Sequence, residues 1–428
     1  MGLPAEKQDA TEARLAALTM PSGAAWADAA RADALARFRV MCLPGARDEY
    51  WRFTRPTELN AVEVSATAFA EAEAKLPFAD IDRLKIVFRD GVFDADESDD
   101  LALEGVEIER LSTAMETDIH WAKDLYGVLE TRAQTPVARP FAAMNTAYAT
   151  DGVVIRATKP VSRPVSLLYL HEKTDSDAIL HFVIKVESGA SLTVLENGPA
   201  AARFNKCMEV DVGDNAQFHH IRAQGRDHDR LAVTHLFARL GEESVFKSFT
   251  LTANGKLTRN EAFIELTGDN ATAHIAGAAV GDGDFHHDDT VFVTHDAVNC
   301  ESRQVFKKVL KNGAVGAFQG KILVKEGAQK TDGYQISQSL LLDEDAQFLA
   351  KPELEIYADD VACSHGSTSG AIDETALFYF RSRGIPKADA QDLLVLAFLA
   401  EAIEEVEDEA IADDILGRLE TWLIRHRE

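Results

Sequence analysis

Gly189-Ala190-Ser191-Leu192-Thr193-Val194-Leu195 joins a turn former and a small residue to a run of strand-forming side chains. The unit recurs. Asn215-Ala216, Glu243-Ser244, Asn270-Ala271 and Asp296-Ala297 follow at intervals of 26 to 28 residues, each ahead of another apolar or alternating run. Farther on, Gly313-Ala314, Gly327-Ala328 and Asp345-Ala346 stand 14 to 18 residues apart. A stacked coil needs a tight corner with a small residue behind it. Approximate periodicity of this kind therefore predicts a β-helix or irregular solenoid rather than a propeller or a small sandwich. Further short runs such as Gly152-Val153-Val154-Ile155-Arg156, Ser166-Leu167-Leu168-Tyr169-Leu170 and Ile179-Leu180-His181-Phe182-Val183-Ile184 fit the same scheme. No helical period interrupts the roughly 200 residues between Phe141 and Gly370.

Outside that span the pattern changes. Residues 6–40 are alanine-rich, with Leu15, Leu18, Trp26, Leu35 and Phe38 at helical spacing, and Pro21-Ser22-Gly23 divides them into two helices. The aromatic patch Tyr50-Trp51-Arg52-Phe53 reads as an anchor that pins this segment to the main body. Residues 61–149 are mixed, with a strand expected at 83–88, a helix over 112–129, and a solvated acidic loop at 94–100. After Gly370 the helical period returns: a helix over 373–380 stopping near Gly384, a second over 388–402, and a last over 411–424. The expected organisation is mainly β: a helical and mixed region over 1–140, a β-helix core over 141–370, and a helical domain over 371–428. The last is expected to cap the open end of the coils.

Forty-four basic against 71 acidic residues leave a formal charge of −27 over 428 residues. An acidic surface repels phosphate backbones and anionic lipid, which argues against nucleic acid and membrane surfaces as partners. The acids of residues 1–20 argue against a signal or transit peptide, and the longest apolar run, 393–400, is too short to span a bilayer. A cytoplasmic location is expected. Cys42, Cys207, Cys300 and Cys363 form no CxxC, so neither a disulfide framework nor a self-contained zinc site is indicated.

One stretch carries candidate chemistry: Lys351-Pro352-Glu353-Leu354-Glu355-Ile356-Tyr357-Ala358, a turn at Asp359-Asp360, then Val361-Ala362-Cys363-Ser364-His365-Gly366. Alternation makes the first part a strand and 361–365 a second. Residues two apart on a strand share a face, so Cys363 and His365 project side by side, a thiol beside an imidazole. That pair suits iron, zinc or a persulfide relay. A Cys-x-His is equally what packing beside a satisfied histidine produces, and two ligands need others to hold a metal. His219-His220, His228, His235, His274, His286-His287 and His295 invite a second reading, a stand-alone metal-dependent enzyme. Adjacent strand residues point to opposite faces, however, so neither histidine pair can chelate one ion, and no HExxH appears. Gly316-Ala317-Phe318-Gln319-Gly320-Lys321 lacks both the spacing and the hydroxyl of a phosphate-binding loop, and no G-x-S-x-G elbow is present. A secreted carbohydrate-active β-helix is disfavoured by the absence of an export signal.

Several stretches together carry a family resemblance. They are residues 145–155 (Asn145-Thr146-Ala147-Tyr148 onward), Lys311-Asn312-Gly313-Ala314-Val315-Gly316-Ala317-Phe318-Gln319-Gly320-Lys321-Ile322, Ala328-Gln329-Lys330-Thr331-Asp332-Gly333-Tyr334-Gln335, and Tyr357 to His365 with Leu377-Phe378-Tyr379-Phe380-Arg381-Ser382-Arg383-Gly384. As a combination this resembles the SufD family, subunits of the SUF iron–sulfur cluster assembly scaffold, over most of the chain. The Asp359-Asp360-Val361-Ala362-Cys363-Ser364-His365-Gly366 stretch resembles SufD rather than its paralogue SufB; Ser367 stands where alanine is common. The resemblance implies a right-handed parallel β-helix between helical regions and a non-enzymatic scaffold that pairs with SufB and docks the SufC ATPase. It also implies a homodimer when the chain is isolated. Cys363 and His365 would lie near the SufB interface, where a transient iron–sulfur cluster forms with a SufB cysteine, reduced flavin being a candidate reductant and no cofactor held by the isolated chain. It further implies that the C-terminal helices dock the ATPase, with Leu393, Leu394 and Phe398 as the apolar face and Arg381 and Arg383 at the preceding helix end.

Overall fold

The computed structural model describes residues 5–67, 75–135, 137–198, 201–225 and 229–427. Helices α1 (Ala5–Ala16), α2 (Ala25–Met41), α3 (Thr57–Asn60), α4 (Leu111–Glu116), α5 (Val128–Ala133) and α6 (Pro140–Tyr148) precede the main strands. Helices α7 (Glu374–Ser382), α8 (Lys387–Ile403) and α9 (Glu409–Arg425) follow them. The helix expected over 112–129 is broken into α4, a 3-10 turn at Trp121–Asp124 and α5. Gly127 sits at φ 73 between the last two, in the left-handed region that a continuous helix excludes.

The strands form two parallel sheets. One runs β2 (Val92–Asp94), β1 (Leu84–Arg89), β5 (Val165–Leu170), β7 (Ser191–Gly198), β9 (Gln217–Gln224), β11 (Val245–Ala253), β13 (Thr272–Asp282), β15 (Glu301–Lys311), β17 (Asp332–Leu341) and β19 (Ala362–Gly370). The other runs β3 (Val106–Arg110), β4 (Val153–Ala157), β6 (Asp177–Val186), β8 (Arg203–Val212), β10 (Leu231–Leu240), β12 (Leu257–Leu266), β14 (His286–His295), β16 (Val315–Val324) and β18 (Gln347–Ile356). Odd strands stack on odd and even on even, in parallel, from β4 and β5 to the end, while at the start β2 runs antiparallel to β1 and β3 antiparallel to β4. The chain thus winds between two facing sheets, a β-solenoid of about seven turns. The first coil recruits β1 and β3 from the mixed region, β1 lying beside β5 with Phe88 opposite Tyr169.

One set of corners explains the turn series. Gly189, Asn215, Glu243, Asn270, Asn299 and Lys330 all adopt φ between 53 and 74. Each donates its backbone N–H to a carbonyl of the next coil, for example Asn215 to Glu242 and Asn270 to Val298. The residues behind them, Ala190, Ala216, Ser244, Ala271, Cys300 and Thr331, are buried because they face the interior where the chain doubles back. Asp296-Ala297 is therefore displaced by three residues from the true corner, Asn299-Cys300. Gly313-Ala314 and Asp345-Ala346 belong to the opposite edge, from β15 to β16 and from β17 to β18. Their closer spacing is half a coil, not a change of architecture.

Apolar side chains between the sheets, among them Leu167, Phe182, Ile184, Val194, Phe204, Phe218 and Ile264, form the main core. The outer face of the even sheet is covered by N-terminal helices, with Val183, Cys207, Phe237 and Phe292 against Leu111, Met115, Tyr126 and Leu129. Tyr50, Trp51 and Thr54 pin this layer down. Tyr50 packs its ring 5.1 Å from Phe292, Arg259 stacks 4.2 Å over Trp51, and Thr54 Oγ1 donates to Asp288 at 2.5 Å. The outer face of the odd sheet is covered by α8 and α9, whose Val395, Leu399, Ile415, Leu419 and Trp422 meet Leu195, Phe249, Leu251, Val280 and Val309. The C-terminal helices thus pack along a flank and do not cap the coil end as expected. A sheet face that presents Leu195, Phe249, Leu251, Val280 and Val309 outward must be buried, and the apolar stripes of α8 and α9 bury it.

Candidate functional site

The coil end lies at β18 and β19. Along β18 every residue is half-buried or exposed, and along β19 none is fully buried, in contrast to the nearly continuous burial of β12 or β14. These are edge strands, each with one neighbour in its sheet among the described residues. Such edges present unpaired backbone donors and acceptors, a template for a further strand.

Cys363 and His365 both sit on β19, which extends from Ala362 to Gly370 and is longer than the 361–365 strand read from sequence. The register sets Cys363 against Gly333 and His365 against Gln335. Side-chain volume on β17 then gives the two residues different depths. Gly333 has no Cβ, and one placed there would come 3.2 Å from Cys363 Sγ. The thiol uses that gap to lean into the apolar group of Ile322, Val324, Ala328 and Ala358. Cys363 is half-buried, and burial pushes its thiol pKa up, with Asp332 adding to the rise and the Gly333 backbone opposing it. Gln335 is fully buried, donating Nε2 to Gln304 Oε1 at 3.1 Å, and its own Oε1 has no hydrogen-bond partner among the described residues. His365, in register with it, is exposed. The pair therefore presents an accessible imidazole and a recessed, protonated thiol. Farther along, hydroxyl pairs Ser337–Ser367 and Ser339–Ser369, at 3.0 and 2.9 Å, tie β19 to β17.

The outward face of β18 is held by one hydrogen bond and two ion pairs. Tyr50 Oη donates to Glu353 at 2.6 Å, Lys351 reaches Glu49 at 2.7 Å, and Lys321 pairs with Glu355. Tyr357 is 61% exposed just beyond the strand.

The solenoid histidines are dispersed. His219 faces outward, 3.6 Å from Glu407, while its neighbour His220 faces the interior and Glu196. His286 meets Thr54 outside the even sheet and His287 points inside to Asp289 and Lys308. His235 pairs with Glu261, His274 with Glu405 and Glu301, and His295 with Ser302. His228 lies outside the described residues. Among the described residues no group of three or more His, Cys, Asp or Glu is arranged to hold a metal ion.

The C-terminal residues separate into two sets. Phe398 packs inward, with Lys307 Nζ 4.8 Å over its ring, and Leu394 is half-buried. Leu393, Arg381 and Arg383 are exposed, the last stacking 3.3 Å over Tyr379. Beside them stand Phe378 and Tyr379, 71% and 54% exposed, which sequence reasoning did not single out. The signal was present: a helix with Leu377-Phe378-Tyr379-Phe380 cannot bury four successive large side chains on one face. Among the described residues no helix is long and apolar enough to cross a membrane.

Residues 169–398 match the family described as "SUF system FeS cluster assembly, SufBD core domain". The chain is 29% identical to the iron–sulfur cluster assembly protein SufD of Escherichia coli, over 88% of each chain. It is 30% identical to an iron–sulfur cluster assembly SufBD family protein of Synechocystis, over 88% of this chain and 86% of the relative. To SufD of Bacillus subtilis it is 30% identical over 65% of each. The matched segment is more than half the chain, beginning in β5 and ending in α8, and so takes in the coil end and Cys363 and His365. The chain belongs to the SufBD family of the SUF iron–sulfur cluster assembly system, as a SufD-type member.

Proposed function

We propose that this chain is a non-catalytic scaffold subunit of a cytoplasmic SUF complex. It pairs with a SufB-type subunit through the open coil end and docks a SufC-type ATPase through the exposed residues of α7 and α8. The observation that carries the proposal is the uncovered last coil, with His365 exposed on its edge strand in a chain of this family. A second solenoid of the same cross-section would satisfy the free edges of β18 and β19 by continuing the two sheets. His365 would then stand at the junction, where it contributes one ligand to a nascent cluster whose other ligands come from the partner. The cluster is cargo, assembled and passed on. Cys363 is the weaker candidate, since its recessed thiol must lose a proton against the burial that raises its pKa.

The test is His365→Ala and Cys363→Ala in the chain co-expressed with its SufB-type and SufC-type partners. Iron and acid-labile sulfide per purified complex are measured beside a thermal melt. His365→Ala should retain stoichiometry and melting temperature and lose most of the cluster; Cys363→Ala should lose less. Full cluster content in His365→Ala refutes the ligand role. Failure of the wild-type chain to recover a partner refutes the scaffold reading.

A further inference from the structure

Among the described residues, Pro352 is the only proline that falls within a strand. It stands in the middle of β18, at the open coil end. A proline is tolerated in a strand only where its nitrogen faces away from the neighbouring strand. The backbone hydrogen bonds place it so. Gln347 N–H donates to Ala314 O at 3.0 Å and Tyr357 N–H to Val324 O at 2.9 Å, so the odd-numbered residues of β18 turn their backbone groups toward β16. Successive residues of a parallel ladder alternate between the two sides. Phe348, Ala350, Pro352, Leu354 and Ile356 therefore face the free edge, and Pro352 breaks that row of donors at its centre.

The edge of β19 is different. Ala362 N–H donates to Thr331 O at 2.8 Å, which turns the even-numbered residues toward β17 and leaves Cys363, His365, Ser367 and Ser369 facing out. Every one of these carries an N–H. The coil end thus offers one unbroken row of donors and one with a gap.

A strand laid along β18 finds no donor at Pro352 for one of its carbonyls, and the ring Cδ fills the place of the missing hydrogen. A carbonyl left buried without a partner weakens the pairing on the order of tenfold. How often that loss is met depends on what binds. Two copies of this chain meeting end to end do so about a two-fold axis, and each brings a Pro352. The gap then occurs twice, whether β18 lies against the β18 or the β19 of the second copy. A partner solenoid with no proline in its facing strand meets the gap once. We propose, on the reading that the coil end is the contact with a SufB-type subunit, that Pro352 is a specificity-determining residue of that contact. It biases the coil end away from a second copy of this chain and toward a partner whose edge strand has its full row of donors.

Pro352→Ala restores the N–H at a half-buried edge position and leaves the bonds to β16 in place. Sedimentation equilibrium of the purified chain and titration against the purified SufB-type subunit give the two dissociation constants, with a thermal melt as the control for folding. Partner affinity should rise on the order of tenfold and self-association on the order of a hundredfold, the square of that factor. Equal gains in the two constants, or an unchanged self-association constant, overturn the proposal. Ala350→Pro removes a second free-edge donor and should act in the opposite sense, weakening self-association more than partner binding. The self-association measurement involves no partner, so it decides whether Pro352 opposes self-pairing independently of the scaffold reading. Failure of the SufB-type subunit to bind wild type and variant alike would refute that reading instead.

Discussion

His220, His287 and His295 are each driven toward neutrality by burial, which lowers their pKa values to about 4 from an ordinary 6.5. Between those two values the unfolded chain binds protons that the folded chain refuses, so stability falls as pH drops from 6.5 toward 4. The carboxylates Glu196 and Asp289, held low, add their loss only at more acid pH. His295 is the cleanest probe, since burial is the sole cause of its shift and Ser302 Oγ at 2.8 Å is its polar contact. Urea midpoints measured from pH 7 to pH 5 should fall by an amount worth about 2 kcal/mol for each such histidine. His295→Gln should flatten part of that slope, and an unchanged slope would show that the ring is already protonated in the fold. Strand alternation made the opposite facing of His219 and His220 legible in the sequence. It also placed Cys363 beside His365, but not their different depths, because those follow from Gly333 and Gln335 one coil earlier, thirty residues away.

Corners were the most legible elements, and also where the reading slipped. A corner asparagine or glycine supplies the left-handed conformation, and a small residue behind it lets the chain turn inward. The order Asn270-Ala271 satisfies both needs, and Asn270 Oδ1 accepts from Asn299 Nδ2 at 2.6 Å on the next coil. In the following coil Cys300 replaces the alanine, so a search for a small residue settled on Ala297 instead. The polar ladder between coils would have identified Asn299, yet it becomes visible only once the coils are stacked. Ala271→Leu should cost about 1–3 kcal/mol, because the corner interior is already filled and overpacking forces neighbouring side chains off their rotamers. The loss should appear as a lower urea midpoint with an unchanged m-value. A neutral result would mean that the corner can open without disturbing β11 and β13.

At the scale of the molecule, period alone showed amphipathic C-terminal helices but not which surface they cover. Both a coil end and a sheet flank can accept such a face, and the flank won because the odd sheet is apolar on its outside as well as its inside. This bears on how ATPase docking must be tested. Removing residues after Gly370 would strip Val395, Leu399, Ile415, Leu419 and Trp422 from Leu195, Phe249 and Val309. Burial of large apolar side chains is worth roughly 1.5–3 kcal/mol each, so the truncated chain should aggregate and say nothing about docking. The informative positions are those that face solvent: Phe378, Tyr379, Arg381, Arg383 and Leu393. Phe378→Asp and Leu393→Asp should leave stability within about 0.5 kcal/mol, as expected for exposed sites outside the core. Each should cost more than about 2 kcal/mol in affinity for the ATPase if these side chains are the buried anchors of that contact. Affinity is read by titration against the purified ATPase, with recovery of the SufB-type partner as the control for folding. Unchanged ATPase affinity in both variants would place the docking surface elsewhere and leave the exposed aromatic pair of α7 without that role.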